Sequence, residues 1–559
     1  MSQGSGDELT LNEYHDEHDP VVIRRLEDVS DPVDPRITAP HRPTSDVLDE
    51  GYGRQLSQIL SRESRPRDLS EAPSEPEPLY VDFEKDDPKN PINFSKSRKW
   101  TITVTACCFT AITAATASTY NMGWPSMLVD LNCTQFQATI GLALYCLGFG
   151  VVPLVTASFS EEFGRQPLYV CSTIGFALMH LMIALAQNIQ TVQIARFLSG
   201  AFGSTGSTMV GGTVADIWLV HERGLPMSLF AFSALAGTGF GPVFAGWIEM
   251  NPHLQWRWIQ WLHLITTGVL VVAVATLMRE TRASVLLTRR AKRLRKQTGD
   301  KRYRARAEDE RASLKTLIYI SCTRPIYLLF TEPVVASFSL WVGFAWGILY
   351  VLIESVGLVF KTLHNFNQGQ IGTVFITFVI GSGLGFVTNM YQESLYQKYV
   401  FKRGPEARLY MSMFGAILFP SAMLIYAWCT FPWVHWIALC IGTTLVIWGV
   451  FIIYLAVFVY LADCYGPFAS SALAGQSLSR NLMGTFFPLF TTQMYTGLTF
   501  KWANTLFALV AVVMIPIPYV LFFKGPVIRS RSKFASQVME KEEKVEEMTI
   551  TAQKPVEMS

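Results

Sequence analysis

The chain has 559 residues, half of them hydrophobic, 13% aromatic and only 16% charged, with a formal net charge of +2. That apolar share exceeds an ordinary soluble domain and reads as an integral membrane protein. The charge is uneven: the first 99 residues hold 22 of the 44 acidic side chains and 13 of the 46 basic ones, so the rest of the body is basic.

From Met1 to Lys99 the sequence is rich in Asp, Glu, Pro and Ser, as in SRESRPRDLSEAPSEPEP, and has no helical or strand period. This predicts a disordered acidic arm over residues 1–99. It lacks the basic start, apolar core and small-residue cleavage site of a secretory signal, so the first hydrophobic helix is expected to direct insertion. From Trp100 onward come twelve apolar runs of about twenty residues, each able to cross a ~30 Å hydrocarbon core. Six fall in residues 100–278 and six in 325–523. Between them lies a polar insert, 279–324, carrying RRAKRLRK and KRYRARAEDERAS, and a tail follows over 524–559. Loops on the insert's side hold Arg165, Arg223, Lys398, Lys402, Arg403 and Arg408, so the positive-inside rule puts arm, insert and tail in the cytosol. A dense basic run can also signal nucleic-acid binding. Beside membrane spans, topology and attraction to anionic lipid explain it, and no nucleic-acid partner is expected.

The turn between spans two and three, ASFSEEFGRQP, places Glu161, Gly164 and Arg165 together. Arg165 is expected to pair with Asp216 at the end of span four, and Glu161 to face the positive end of a helix from the other half, closing a cytosolic gate to which Arg223 also belongs. Span four carries Arg196 inside an apolar helix, followed by Gly200, Ser204, Thr208 and Gly212. An intramembrane arginine is expensive and avoids lipid, so Arg196 either points into a cavity or packs on carbonyls. Span five reads SALAGTGFGPVFAGW, with Ser233, Gly237, Gly241 and Ala245 on one helical face. Small residues there admit a neighbouring backbone, and Pro242 removes a donor, which suits a pivot.

Glu354 in span seven is the candidate for protonation, with hydrogen bonding to a neighbouring helix as the other reading. Arg480 either faces the cavity or holds a broken helix near Asn481 and Gly484. Tyr145, Trp346 and Tyr350, with Glu354 and Arg480, are candidates to line an adaptable cavity; Tyr120, Trp124, Phe149, Trp341 and Trp448 are further aromatics of that kind, and for each aromatic a lipid-facing or interfacial position is the other reading. Glu249 sits near a helix end, and Glu332 looks structural beside Pro333. Asn132-Cys133-Thr134 matches the glycosylation acceptor pattern on the outer side, and Asn93-Phe94-Ser95 matches it on the cytosolic side. The nine cysteines and nine histidines lack metal-site spacing, and neither H-E-x-x-H nor G-x-x-x-x-G-K-[ST] occurs, so no metal, cofactor or catalytic residue is expected. Gly381, Gly383 and Gly385 in GSGLGF lie inside a span and read as packing.

ASFSEEFGRQP resembles the signature loop of the major facilitator superfamily, with Ala157 where the family has glycine and Gln166 where a second basic residue is usual. RFLSG around Arg196 resembles a motif that the superfamily associates with proton coupling. The segment from Gly237 to Gly246, through Gly241 and Pro242, resembles the fifth-helix signature of drug-proton antiporters, with Ala245 in place of one glycine. DPKNPINFSKSRKW, GGTVADIW, WRWIQW, RETRASVLL, RPIYLL and DCYGPFASSALAGQSLSRN extend the resemblance to the fungal twelve-helix drug-proton antiporters. The resemblance implies an all-α membrane protein of the major facilitator fold, with two six-helix halves. It implies proton-coupled, alternating-access export of a small organic metabolite or xenobiotic, whether secondary metabolite, organic acid, amphiphile or drug. Its partners would be the small-molecule substrate, protons and the lipid bilayer; it would work as a monomer in the plasma or vacuolar membrane. A polyamine exporter, a same-fold nutrient importer and a transporter-like sensor remain open, although a polyamine needs cavity carboxylates that the first six spans do not offer.

Overall fold

The computed structural model describes residues 22–24, 78–219, 222–309, 313–536 and 539. In chain order the main helices are α1 Lys96–Met122, α2 Gln135–Glu162, α3 Arg165–Ala184, α4 Ile189–Ile217, α5 Gly224–Glu249, α6 Gln255–Leu277, α7 Ala283–Thr298, α8 Leu314–Thr331, α9 Pro333–His364, α10 Ile376–Arg403, α11 Tyr410–Trp428, α12 Trp436–Tyr465, α13 Ala469–Met514 and α14 Pro516–Ser530. The backbone groups into two compact units, one of residues 91–282 and 312–559, the other of residues 1–90 and 283–311.

The larger unit is the helical bundle. Nine stretches among its described residues are long and apolar enough to cross a membrane. Two of them, Gln368–Trp428 and Ala469–Ser530, each contain two passes. The second of these turns at Thr499, where φ of 67° breaks α13 into the eleventh span and the start of the twelfth. The remaining pass is α4, whose Gly, Ser and Thr content lowers its hydropathy. Several of its hydroxyls are nonetheless satisfied within the helix, since Thr205, Thr208 and Thr213 each donate to a carbonyl four residues back, while Ser199 is buried without a partner. Twelve passes therefore stand where the apolar runs predict them.

Helix starts follow from capping chemistry. Ser95 accepts from the Arg98 amide, so the first helix begins at Lys96 rather than Trp100. Thr134 and Gln137 form a capping box for α2, and Asn188 caps α4 through the Thr191 amide. In both glycosylation-like triplets the third-residue hydroxyl is thus engaged as a helix cap; Asn132 itself is exposed, at φ 46°. The N-terminal half packs α2 on α4 so closely that a Cβ on Gly148 or Gly200 would strike backbone of the other helix.

The smaller unit corrects two boundaries. Residues 78–99, expected to belong to a structureless arm, include the strand Leu79–Asp82 (β2). It pairs antiparallel with Val22–Arg24 (β1) and parallel with Tyr303–Arg304 (β3). The insert 279–324 is not a plain loop either: α7 is amphipathic and buries Ala291 against Val81, Tyr303 and Ala305. Of its basic residues, Arg290 pairs with Asp87 at 3.0 Å and Arg295 with Glu308 at 2.8 Å, while Arg289, Lys292, Arg293 and Lys296 are exposed. Most of the proposed arm and the end of the tail lie outside the described residues.

Candidate functional site

Every connection on the side of the central insert lies at one end of the bundle, termed here the basic end. At that end Gly164 takes φ 96°, ψ 170°, a conformation open in practice to glycine alone. It breaks α2 from α3 and turns Arg165 inward. Arg165 Nε donates to Asp216 Oδ2 at 2.6 Å, and the other carboxylate oxygen receives Arg282 Nη1 at 3.4 Å. The expected Arg165–Asp216 pair therefore forms. Glu280 was not anticipated: its Oε1 accepts from the amides of Arg165, Thr281 and Arg282 at 3.0, 3.1 and 3.0 Å, and a Cβ on Gly164 would collide with it. The signal was the RETR run ending span six, whose acid had no assigned role. Arg223 does not join Asp216 directly; its guanidinium donates to the Ala215 and Trp218 carbonyls and closes the end of α4. Glu161 lies in the last turn of α2, and its side chain lies outside the described residues.

The C-terminal half repeats this arrangement. Gly404, at φ 59°, precedes Arg408, which donates to Asp463 Oδ2 at 2.9 Å and Glu393 Oε2 at 2.7 Å and lies 3.3 Å from the Tyr396 ring centre. Glu393 sits against Gly224, the first residue of α5, so a carboxylate of one half faces a helix N-terminus of the other. Beside it Asn389 donates to Ser228 at 2.5 Å. An internal comparison of the two halves would have found this: a glycine and an arginine open spans three and nine, and an aspartate closes spans four and ten.

The small-residue face of α5 lies on α1. A Cβ on Gly237 would stand 2.5 Å from the Ala111 carbonyl oxygen, and one on Gly241 2.9 Å from that of Ala115. The opposite edge meets the other half: a Cβ on Gly246 would stand 2.5 Å from the Gln368 carbonyl oxygen, and the Pro242 carbonyl closes on Gly372. Pro242 lies within an unbroken helix.

Arg196 is fully buried and packs on carbonyls, the second of its two readings. It donates to Thr116 O at 3.0 Å and Gly141 O at 3.5 Å, with its guanidinium over the rings of Tyr120 and Tyr145. Tyr145 in turn donates to Thr113 O at 2.8 Å. Next to this knot, His263 bonds Thr116 and Thr119 and stacks on His180, which bonds Gln260. Residue spacing gave no hint of that buried pair, because the two histidines come from different helices.

Between α9 and α13 the remaining candidates form a ladder. Arg480 lies over Trp346 and Tyr454, Gly484 faces the Tyr350 ring, and Thr492 donates to Glu354 Oε1 at 2.8 Å. Glu354 Oε2 is buried without a partner. Tyr350 also reaches Cys146 of α2, so the ladder meets the N-terminal half at its middle. Glu249 and Glu332 are elsewhere: Glu249 accepts from the Ser126 amide, and Glu332 receives the hydroxyls of Tyr465 and Ser532, a structural placement as expected.

The profile of the Major Facilitator Superfamily matches residues 106–467. The chain belongs to that superfamily. Among its relatives, the major facilitator superfamily multidrug transporter mdrA of Aspergillus fumigatus is 33% identical over 470 residues, covering 83% of this chain and 77% of that protein. The efflux pump atB of Aspergillus terreus is 33% identical over 503 residues, covering 88% and 97%. The efflux pump FUBT of Fusarium oxysporum is 31% identical over 480 residues, covering 85% and 80%. Among solved structures, the proton:xylose symporter XylE aligns with a TM-score of 0.58 at 14% identity, covering 77% of this chain and 96% of that one, which establishes the shared fold. This major facilitator is thus a multi-pass membrane transporter of a small-molecule substrate, and the twelve-pass bundle is the superfamily's.

Proposed function

We propose that this transporter is a proton-coupled exporter of a small organic metabolite or xenobiotic, working by alternating access as a monomer, with its basic end in the cytosol and the plasma membrane as its site. The observation that carries this reading is the position of α5, glycine-packed on α1 along one edge and on the eighth span along the other. A helix seated at both contacts is suited to act as the pivot between halves. The efflux names of several relatives support the outward direction. Glu354 supports proton coupling, because it offers one unpaired buried carboxylate oxygen beside the central ladder. Arg165–Asp216 and Arg408–Asp463 brace the basic end within each half, while Asn389–Ser228 and Glu393 beside Gly224 join the halves and would part on inward opening.

Purified protein reconstituted in liposomes with an imposed pH gradient tests the proposal. Export predicts that an acidic compartment on the face opposite the basic end drives substrate toward that compartment, and that Glu354→Gln abolishes gradient-driven flux while leaving expression intact. Flux insensitive to the gradient, or driven only the other way, would refute it.

A further inference from the structure

Both intramembrane arginines are buried, but among the described residues only Arg196 is hydrogen-bonded. Arg196 donates through Nε and Nη1 to two carbonyls inside the N-terminal half, with Nη2 left without a partner. Arg480 is 7% exposed and makes no hydrogen bond or ion pair among the described residues; its Nε is buried without an acceptor. Its guanidinium carbon lies 4.3 Å from the Trp346 ring centre and 4.9 Å from that of Tyr454, and those two rings are 5.2 Å apart. One turn earlier on the same face of α13, the Gln476 amide nitrogen is also buried and unpartnered, with the residue 2% exposed.

A buried cation and a buried amide, both donors and neither supplied with an acceptor, are costly in a low-dielectric interior. The aromatic faces offset part of that cost for the charge. They cannot satisfy directional N–H donors. The nearest acid on α9 is Glu354, eight residues beyond Trp346 and therefore about 12 Å further along the helix. It is engaged there with Thr492.

We propose that Arg480, with Gln476, is the recognition point for an anionic group of the cargo, a carboxylate or an acid of like geometry, and that Trp346 and Tyr454 hold an aromatic or flat apolar body joined to it. The guanidinium fork matches a carboxylate in bidentate fashion, and the amide adds a third donor. The cargo is then an organic anion, and a multiply charged cation such as a polyamine is repelled. This assignment rests on the transporter reading for its physiological meaning, but the binding it describes can be measured without transport.

Full-length purified protein is titrated at neutral pH with 2-naphthoate and with its uncharged isostere 2-naphthamide, following quenching of tryptophan fluorescence. The wild type is expected to bind the anion at least tenfold more tightly than the amide. Arg480→Gln should erase that preference, and Arg480→Lys, keeping charge but losing the fork, should weaken naphthoate about tenfold. Equal affinity for anion and amide in the wild type, or a preference that survives Arg480→Gln in a monodisperse protein, overturns the assignment. Should Arg480→Gln not fold, the wild-type comparison and Arg480→Lys decide it. Arg480-dependent naphthoate binding without gradient-driven flux would remove the exporter reading and leave the site. Gradient-driven efflux of an uncharged dye with no anion preference would remove the site and leave the exporter.

Discussion

In the N-terminal half, Arg165 and Arg282 share the single carboxylate of Asp216, while Glu280 is taken up by three backbone amides. In the C-terminal half, Arg408 alone holds both Glu393 and Asp463. Among the described residues the same turn chemistry pairs two arginines with one aspartate in the first half and one arginine with two carboxylates in the second, a surplus of acid there. The difference has a use: the surplus acid, Glu393, is the one that reaches α5 of the opposite half. Inside the membrane the halves differ again, because Arg196 is anchored on two carbonyls whereas Arg480 makes no hydrogen bond among the described residues. Sequence repeats in a two-half protein therefore mark positions, and the local partners decide which copy braces the fold and which can meet a ligand.

The largest effect that would sharpen this contrast is expected at the two intramembrane arginines. Arg196→Ala leaves two carbonyls and two aromatic faces around a cavity, and should cost about 3–5 kcal/mol of stability. Arg480→Gln removes a buried cation that has no counter-ion, so its thermal midpoint should match or exceed that of the wild type. Melting curves of both variants in one detergent check the pair; a midpoint for Arg480→Gln as low as that for Arg196→Ala would break the distinction.

A smaller asymmetry is expected at the basic end. Arg408→Ala strands two partly buried carboxylates near one another and should cost about 2–3 kcal/mol. For Arg165→Ala the loss should be about 1–2 kcal/mol, since Arg282 remains on Asp216. Both should slow turnover more than they raise KM, because the contacts belong to the conformational cycle and not to the cargo. Equal costs, or a pure KM effect, would argue against the unequal charge sharing. At the turns themselves, Gly164→Ala meets both a forbidden φ and the Glu280 carboxylate, and should cost about 2–3 kcal/mol. Gly404→Ala meets the strained φ with no atom closer than 3.7 Å, and should cost about 1 kcal/mol.

Hydropathy alone carried the bundle: twelve apolar runs and the break at the insert are set by the cost of burying polar backbone in lipid, which local sequence displays directly. The Arg165–Asp216 pair was legible because a charged turn beside a span has few places to go. What was not legible depended on distant segments meeting. Glu280 matters only because span six ends beside Gly164, and the histidine pair exists only because α3 lies on α6. The structured insert was missed because the basic charge of α7 outweighs the short apolar face that packs on β2. For Arg196 and Arg480 the residue type was informative, but which of two readings applied depended on carbonyls and rings supplied by other helices.

The smallest test concerns the contact through which one half reads the other. Asn389 of α10 donates to Ser228 of α5 beside Glu393, a bond between the two halves that opening of the basic end would break. A neutral hydrogen bond of this kind contributes about 0.5–1.5 kcal/mol, so Asn389→Ala should shift the balance toward the open basic end by roughly two- to tenfold. Fold stability should change little, because the bond joins the two halves and not the helices within either one. Spin labels placed at the basic ends of α5 and α10 would report that shift as a larger long-distance population. Glu393→Gln, which weakens both the Arg408 pair and the interaction with the α5 N-terminus, should shift it further in the same direction. If Asn389→Ala and Glu393→Gln leave the distance distribution unchanged, the carboxylate surplus of the C-terminal half is a local brace and not the link between halves.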